Sequence, residues 1–287
     1  GGADPEITIP SFMVSLADCN AIRLEVPNGV TVTFSQTTPL PQYPAEETVV
    51  WGDNPGEGDF DGGLNGWTVN HLSCGAGIPI EDFELWRWEA AGNAPNGGCG
   101  GSQIFSPTKC NGAMVFESDF YDTNGEGCGG AAAGSGPCPA SQVGELISPE
   151  IDLSGSTADA YSLRFYQDTR QFQSTYWVGW STDNGVTWDS TEVNTDIDVN
   201  ASNTDDQAIV RLPLTGVPTG APSLRVKFRY EANYYYWIVD DVQIIEQEAN
   251  NLQVNSNFFA VPTSYVTPID QVEPIRFLAD IENVGAA

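Results

Sequence analysis

Leu224-Arg225-Val226-Lys227-Phe228-Arg229-Tyr230 alternates strictly between apolar and basic residues. Side chains of a β-strand point to opposite faces with a period of two. The stretch therefore predicts a half-buried antiparallel strand, with Leu224, Val226, Phe228 and Tyr230 on a core and Arg225, Lys227 and Arg229 toward solvent. Upstream, Tyr176-Trp177-Val178-Gly179-Trp180 and Val186-Thr187-Trp188 flank Asp183-Asn184-Gly185, which predicts a hairpin around a tight Asn-Gly turn. Further strands are expected near 22–26, 30–34, 66–70, 83–88, 113–117, 161–166, 208–214 and 236–245. No stretch longer than about ten residues keeps helical apolar spacing without a Gly or Pro interrupting it. Many short strands separated by turn residues predict an all-β sandwich or jelly roll.

The 287 residues carry 39 acidic against 10 basic side chains, a formal net charge of -29. So few cations in so negative a field cannot form a footprint on nucleic acid, and an anionic membrane surface would repel the chain. Eight Trp, ten Tyr and thirteen Phe supply a core, and 40% hydrophobic residues make the chain too apolar for disorder. No apolar run is long enough to insert into a membrane as a helix. Six cysteines (Cys19, Cys74, Cys99, Cys110, Cys128 and Cys138) are even in number, and four of them lie in Gly-rich stretches. That pattern favours disulfides and an oxidising compartment, with the connectivity open. Zinc is disfavoured, since there is no C-x-x-C pair and His71 is the only histidine.

Composition divides the chain into three zones. Residues 1–48 hold two strand-like runs and close on a Pro-rich linker, TTPLPQYPAEE. Residues 49–248 contain all eight Trp and five of the six Cys and are expected to hold the principal core. Residues 249–287 start a new alternating pattern, which reads as the beginning of a further β module.

Several motifs resemble the MAM family in order. Asp59-Phe60-Asp61 through Gly66-Trp67, then Glu81-Asp82-Phe83-Glu84-Leu85-Trp86, resemble its opening. Asn111–Phe116, Glu145–Leu153 with its L-x-S-P core, and Trp237-Ile238-Val239-Asp240-Asp241-Val242 with its I-D-D-V close follow. Gly58 and Asn65 stand where vertebrate members carry cysteines, and the pattern is closer to MAM-like modules of bacterial, Bacteroidota-type surface proteins. The resemblance implies a two-sheet antiparallel jelly-roll sandwich with flanking β segments. It also implies a secreted or cell-surface setting and a role in adhesion or accessory binding. In related jelly rolls the closing Asp pair and the acidic opening strand meet at a calcium site. By resemblance this nominates Asp61, Asp119 and Asp241, with Asp59 and Asp240 as neighbours, and calcium as a structural cofactor. Phe277–Gly285 resembles the I-x-N-x-G strand of bacterial Ig-like adhesion repeats.

Ser181-Thr182-Asp183-Asn184-Gly185-Val186-Thr187-Trp188 fits the Asp-box pattern S-x-D-x-G-x-T-W. Sialidase propellers carry several copies, whereas this chain has one. The local reading is a turn in which the Asp side chain accepts backbone N–H groups, Gly supplies positive φ and Trp packs the hairpin down. Asp240 and Asp241 follow an apolar run, so at least one carboxylate is expected on an inward or rim face, where an unpaired anion is costly. Catalytic signatures such as G-x-S-x-G, H-E-x-x-H and the P-loop are absent from the sequence. Tyr234-Tyr235-Tyr236-Trp237 offers rings for stacking on sugars, although alternation allows at most half of them outside.

These readings converge on an extracellular, calcium-stabilised, non-catalytic module that serves adhesion, ligand binding or surface assembly. Its partner is expected to be a surface glycan or a protein ligand, or another copy joined by β-strand addition. One alternative is an accessory carbohydrate-binding module of a larger secreted hydrolase or peptidase. Another is the structural subunit of an extracellular filament.

Overall fold

A computed structural model describes residues 47–74, 85–94, 102–123, 134–139, 141–247, 252–260 and 277–283. The strands expected at 22–26 and 30–34 lie outside the described residues. Two antiparallel sheets face each other as a jelly-roll sandwich. One runs in the order β3 (Trp86–Glu89), β4 (Ala113–Glu117), β11 (Tyr236–Glu246), β6 (Tyr161–Thr169), β9 (Ile209–Pro213), with β1 (Val49–Trp51) also paired to β11. The other runs β2 (Thr68–Cys74), β5 (Gln142–Ile147), β10 (Arg225–Ala232), β7 (Thr175–Ser181), β8 (Asp189–Val193). A separate antiparallel ladder pairs β12 (Leu252–Ala260) with β13 (Phe277–Asn283). One short helix, α1 (Ser118–Thr123), follows β4.

β10 alternates as its sequence predicts: Val226, Phe228, Tyr230 and Ala232 are buried, and Arg225, Lys227, Arg229 and Glu231 face outward. Its inner residues join an aromatic core centred on Trp237, whose ring lies 5.2 Å from Tyr176, 5.7 Å from Phe228 and 5.6 Å from Trp86. The Trp237 indole N–H donates to Gln167 Oε1 at 2.9 Å, so this buried polar group is satisfied.

β11 is buried on both faces because Ile238 and Tyr236 pack outward into a second cluster with Ala94, Ile104, Ala113, Val115 and Tyr166. The four-aromatic run expected to offer sugar platforms is therefore mostly interior: Tyr235, Tyr236 and Trp237 are buried and Tyr234 is half-buried. Cys74 at the end of β2 is bonded to Cys138 just before β5. Cys110 is disulfide-bonded as well. Cys19, Cys99 and Cys128 lie outside the described residues.

The hairpin between β7 and β8 differs from its expectation in one respect. Its second strand starts at Asp189, not at Val186. Ser181 and Asp183 take up the N–H groups of Gly185 and Thr187 with their side chains, and those donors are thereby withdrawn from a strand ladder. Asn184 and Gly185 both have positive φ, 59° and 87°, as an Asn-Gly turn of the primed kind requires.

Candidate binding groove and the acidic bulge

The register of the five-stranded sheet places residues from distant parts of the chain in rows across its outer face. One row reads Asn70, Glu145, Arg229, Trp177, Glu192. The next reads Thr68, Ile147, Lys227, Gly179, Ser190. Over these rows and the neighbouring Glu231–Thr175 pair lies an open groove of about 380 Å³ lined by Thr175, Trp177, Gly179, Trp188, Ser190, Lys227, Arg229 and Glu231. Trp177 and Trp188 are both half-buried, so each shows part of its ring to solvent.

Gly179 makes this geometry. A Cβ there would lie 3.1 Å from Cγ and Cε of Lys227 and 3.2 Å from the Asp189 carbonyl oxygen. The bare glycine lets the Lys227 stem cross the floor, which puts its ammonium 4.3 Å from the Trp188 ring and 2.9 Å from Glu145 Oε1. Arg229 pairs with Glu231 at 2.7 Å and approaches Glu145 at 3.9 Å. Two cations and two carboxylates thus pair with one another around two indoles, and Glu192, opposite Trp177, adds a third carboxylate. A surface of this kind offers apolar faces beside fixed donors and acceptors.

His71 plays a supporting part in the same sheet: its Nδ1 accepts the backbone N–H of Leu85 at 3.2 Å.

The carboxylates nominated for calcium do not all meet. β11 carries a one-residue bulge between Asp240 and Gln243, where it slips against β6. Asp241, at the bulge, has a φ of 47°. The Val242 N–H here donates to Gly58 O at 2.9 Å, which docks the acidic opening segment against the bulge. Asp240 is fully buried, with Oδ2 accepting from the Ser106 hydroxyl while Oδ1 has no hydrogen-bond partner. Asp241 accepts from the Thr108 hydroxyl at 2.8 Å. Burial and the neighbouring Asp241 hold the Asp240 carboxyl well above the usual range. Burial also pushes Asp241 up to about 6, with Thr108 pulling against it. Asp59 adds its field to both.

Asp61 is exposed, its N–H turned toward Asp59 Oδ1 at 3.4 Å. Asp119 sits in α1 and accepts the Tyr235 N–H at 2.9 Å. That point lies just before the start of β11, five residues ahead of Asp240. The fold thus puts Asp59 within electrostatic reach of the adjacent Asp240 and Asp241, while Asp119 accepts from Tyr235. Among the described residues no three His, Cys, Asp or Glu side chains are grouped so as to hold a metal ion. Also among these residues, no helix is long and apolar enough to cross a membrane.

No family model and no curated protein matches the chain. Solved structures do align with it. TmCBM61, solved with β-1,4-galactotriose, is 14% identical over 68% of this chain and 97% of its own, with a TM-score of 0.38. The K3 cleaved adhesin domain of Lys-gingipain from Porphyromonas gingivalis W83 is 18% identical over 65% and 95%, with a TM-score of 0.36. The K2 adhesin domain of Lys-gingipain is 15% identical over 70% and 98%, at 0.35. At these scores the fold assignment rests on the two ladders themselves.

The groove residues were not singled out by sequence. Trp177 and Trp188 read there as hairpin packing, and Lys227 and Arg229 as a solvated face. The available signal was a glycine inside a β-rich strand, a frequent mark of close approach by another group.

Proposed function

We propose that this chain is a non-catalytic, extracellular ligand-binding module of the MAM-like kind that holds a neutral glycan in the groove on its five-stranded sheet. The observation that carries this reading is the pair of half-buried indoles, Trp177 and Trp188, lining one groove beside the Lys227–Glu145 and Arg229–Glu231 ion pairs. A sugar ring has an apolar C–H face that stacks on an indole and a rim of hydroxyls that both donate and accept. Lys227 and Arg229 supply donors, Glu231 and Glu145 acceptors. An anionic glycan would meet those carboxylates within a chain of net charge -29, so the reading favours an uncharged one. The Cys74–Cys138 disulfide favours an oxidising, extracytoplasmic setting.

The test is titration of the full chain with neutral oligosaccharides, followed by calorimetry and tryptophan fluorescence. Trp177→Ala should weaken binding by about 30-fold, as truncation of a central aromatic anchor costs about 2 kcal/mol. Binding unchanged in both Trp177→Ala and Trp188→Ala, or no binding to any neutral glycan, would overturn the reading.

We further propose that calcium stabilises the fold at the bulge. The support is the buried Asp240 Oδ1 without a partner, beside Asp241 and within the field of Asp59. Calcium takes six to eight oxygens, so hydroxyl, backbone and water oxygens would have to complete what these carboxylates begin.

A further inference from the structure

The two walls of the groove are held by different means. Trp177 stands in mid-strand, fixed by the ladder of β7 with β10 and β8. Trp188 stands outside any strand, at the end of the loop 182–188. A half-exposed loop indole loses rotamer freedom when a ligand stacks on it, and that cost weakens binding unless the fold has already met it.

The loop spends its polar groups on this residue. Asp183 Oδ1 accepts the Thr187 N–H at 2.8 Å and Oδ2 accepts the Thr187 hydroxyl at 2.6 Å. The Ser181 hydroxyl donates to Asp183 Oδ1 at 2.7 Å and accepts the Gly185 N–H at 2.8 Å. The Trp188 indole N–H then donates back to Gly185 O at 3.0 Å. A Cβ on Gly185 would lie 3.3 Å from the Trp188 ring, so the glycine also leaves room for the indole to fold across the turn. Arg225 ties the tip to the sheet, from Nε to Asn184 Oδ1 at 2.5 Å and from Nη1 to Ser148 O at 2.7 Å.

A turn that only reverses the chain needs the two positive-φ residues and nothing more. Here two bonds of the carboxylate converge on Thr187, the residue that delivers Trp188. We propose that Asp183 is the positioning residue of the groove: it contacts no ligand and presets the Trp188 wall through Thr187. The proposal rests on the groove being the binding site. It assigns the S-x-D-x-G-x-T-W turn a role in affinity.

The experiment uses the full chain labelled with 5-fluorotryptophan, with the Trp188 resonance assigned by its loss in Trp188→Phe. In Asp183→Ala the Trp188 line should broaden and shift while the Trp177 line stays. Affinity for whichever neutral oligosaccharide binds the wild type should fall about tenfold, the unfolding midpoint remaining close to the wild type. Asp183→Asn, which keeps Oδ1 as acceptor for the Thr187 N–H, should recover most of the affinity. Thr187→Val serves as a milder second variant should Asp183→Ala fold poorly. It is expected to weaken binding severalfold. A Trp188 line unmoved in both variants, or a wild-type affinity in both, overturns the proposal. If the wild type binds no neutral oligosaccharide, the groove reading fails and the fluorine line alone decides whether Asp183 presets Trp188.

Discussion

At the residue scale, Gly179 and Asp168 show how one side chain's space or charge is decided by its neighbours. Gly179 does not adopt a left-handed φ, so its backbone does not require glycine, and in mid-strand glycine is disfavoured. What requires it is the Lys227 stem lying over it. Gly179→Val should lift Lys227 off Trp188 and weaken binding of a neutral oligosaccharide about tenfold, measured by calorimetry. Wild-type affinity would show that Lys227 need not lie on the floor. Asp168 sits on the other sheet with Oδ2 buried and unpartnered, and burial pushes its pKa up to about 7 against bonds from Ser102 and the Thr169 N–H. A raised carboxyl pKa means that the folded state binds the proton more tightly than the unfolded chain, whose value is 3.8. The stabilisation is therefore present at low pH and is lost as pH rises from about 4 through about 7. Melting midpoints across that window should fall less steeply for Asp168→Asn than for the wild type; equal slopes would remove Asp168 from the account.

At the scale of elements, the Cys74–Cys138 bond joins the end of β2 to the segment that enters β5, across 64 residues of sequence. Chain-entropy arithmetic for a loop of that length gives about 4 kcal/mol. The double variant Cys74→Ser, Cys138→Ser should accordingly melt some 10 °C lower for a domain of this size. A drop under about 2 °C would mean that β2 and β5 are held by their ladder alone.

What the sequence disclosed follows the same scale. β10 was legible because its apolar and basic residues alternate without exception over one strand, and the Asp183 turn because its bonds are local. The groove was not, because Trp177, Trp188, Lys227 and Glu145 become neighbours only through a four-strand register that no local pattern encodes. Asp240 and Asp241 are adjacent in sequence, and the opening segment does dock on them through Gly58 and Val242. Asp119 resembled a partner, yet its carboxylate answers a nearer need, the N–H of Tyr235.

At the scale of the whole molecule, a net charge of -29 spreads self-repulsion over a folded surface, and salt should relieve it. Added sodium chloride is expected to raise the melting midpoint gradually. Any divalent ion would also do so through ionic strength, so a rise in calcium is by itself no mark of a site. The bulge supplies the distinction. Asp240 and Asp241 are buried together, and ionising both near neutral pH is opposed by burial and by their mutual repulsion. A cation seated between them would offset that cost and bind only the folded chain, adding RT ln(1 + [L]/Kd), about 2.7 kcal/mol at a hundredfold excess over Kd. At matched ionic strength, calcium should therefore raise the midpoint beyond sodium in the wild type. Asp240→Asn, which removes one charge from the pair, should respond to both salts alike, whereas Asp198→Ala on the exposed loop should keep the calcium increment. Equal midpoints in calcium and in sodium for the wild type would reduce the bulge to a buried proton-sharing pair and leave the net charge as the whole of the salt effect.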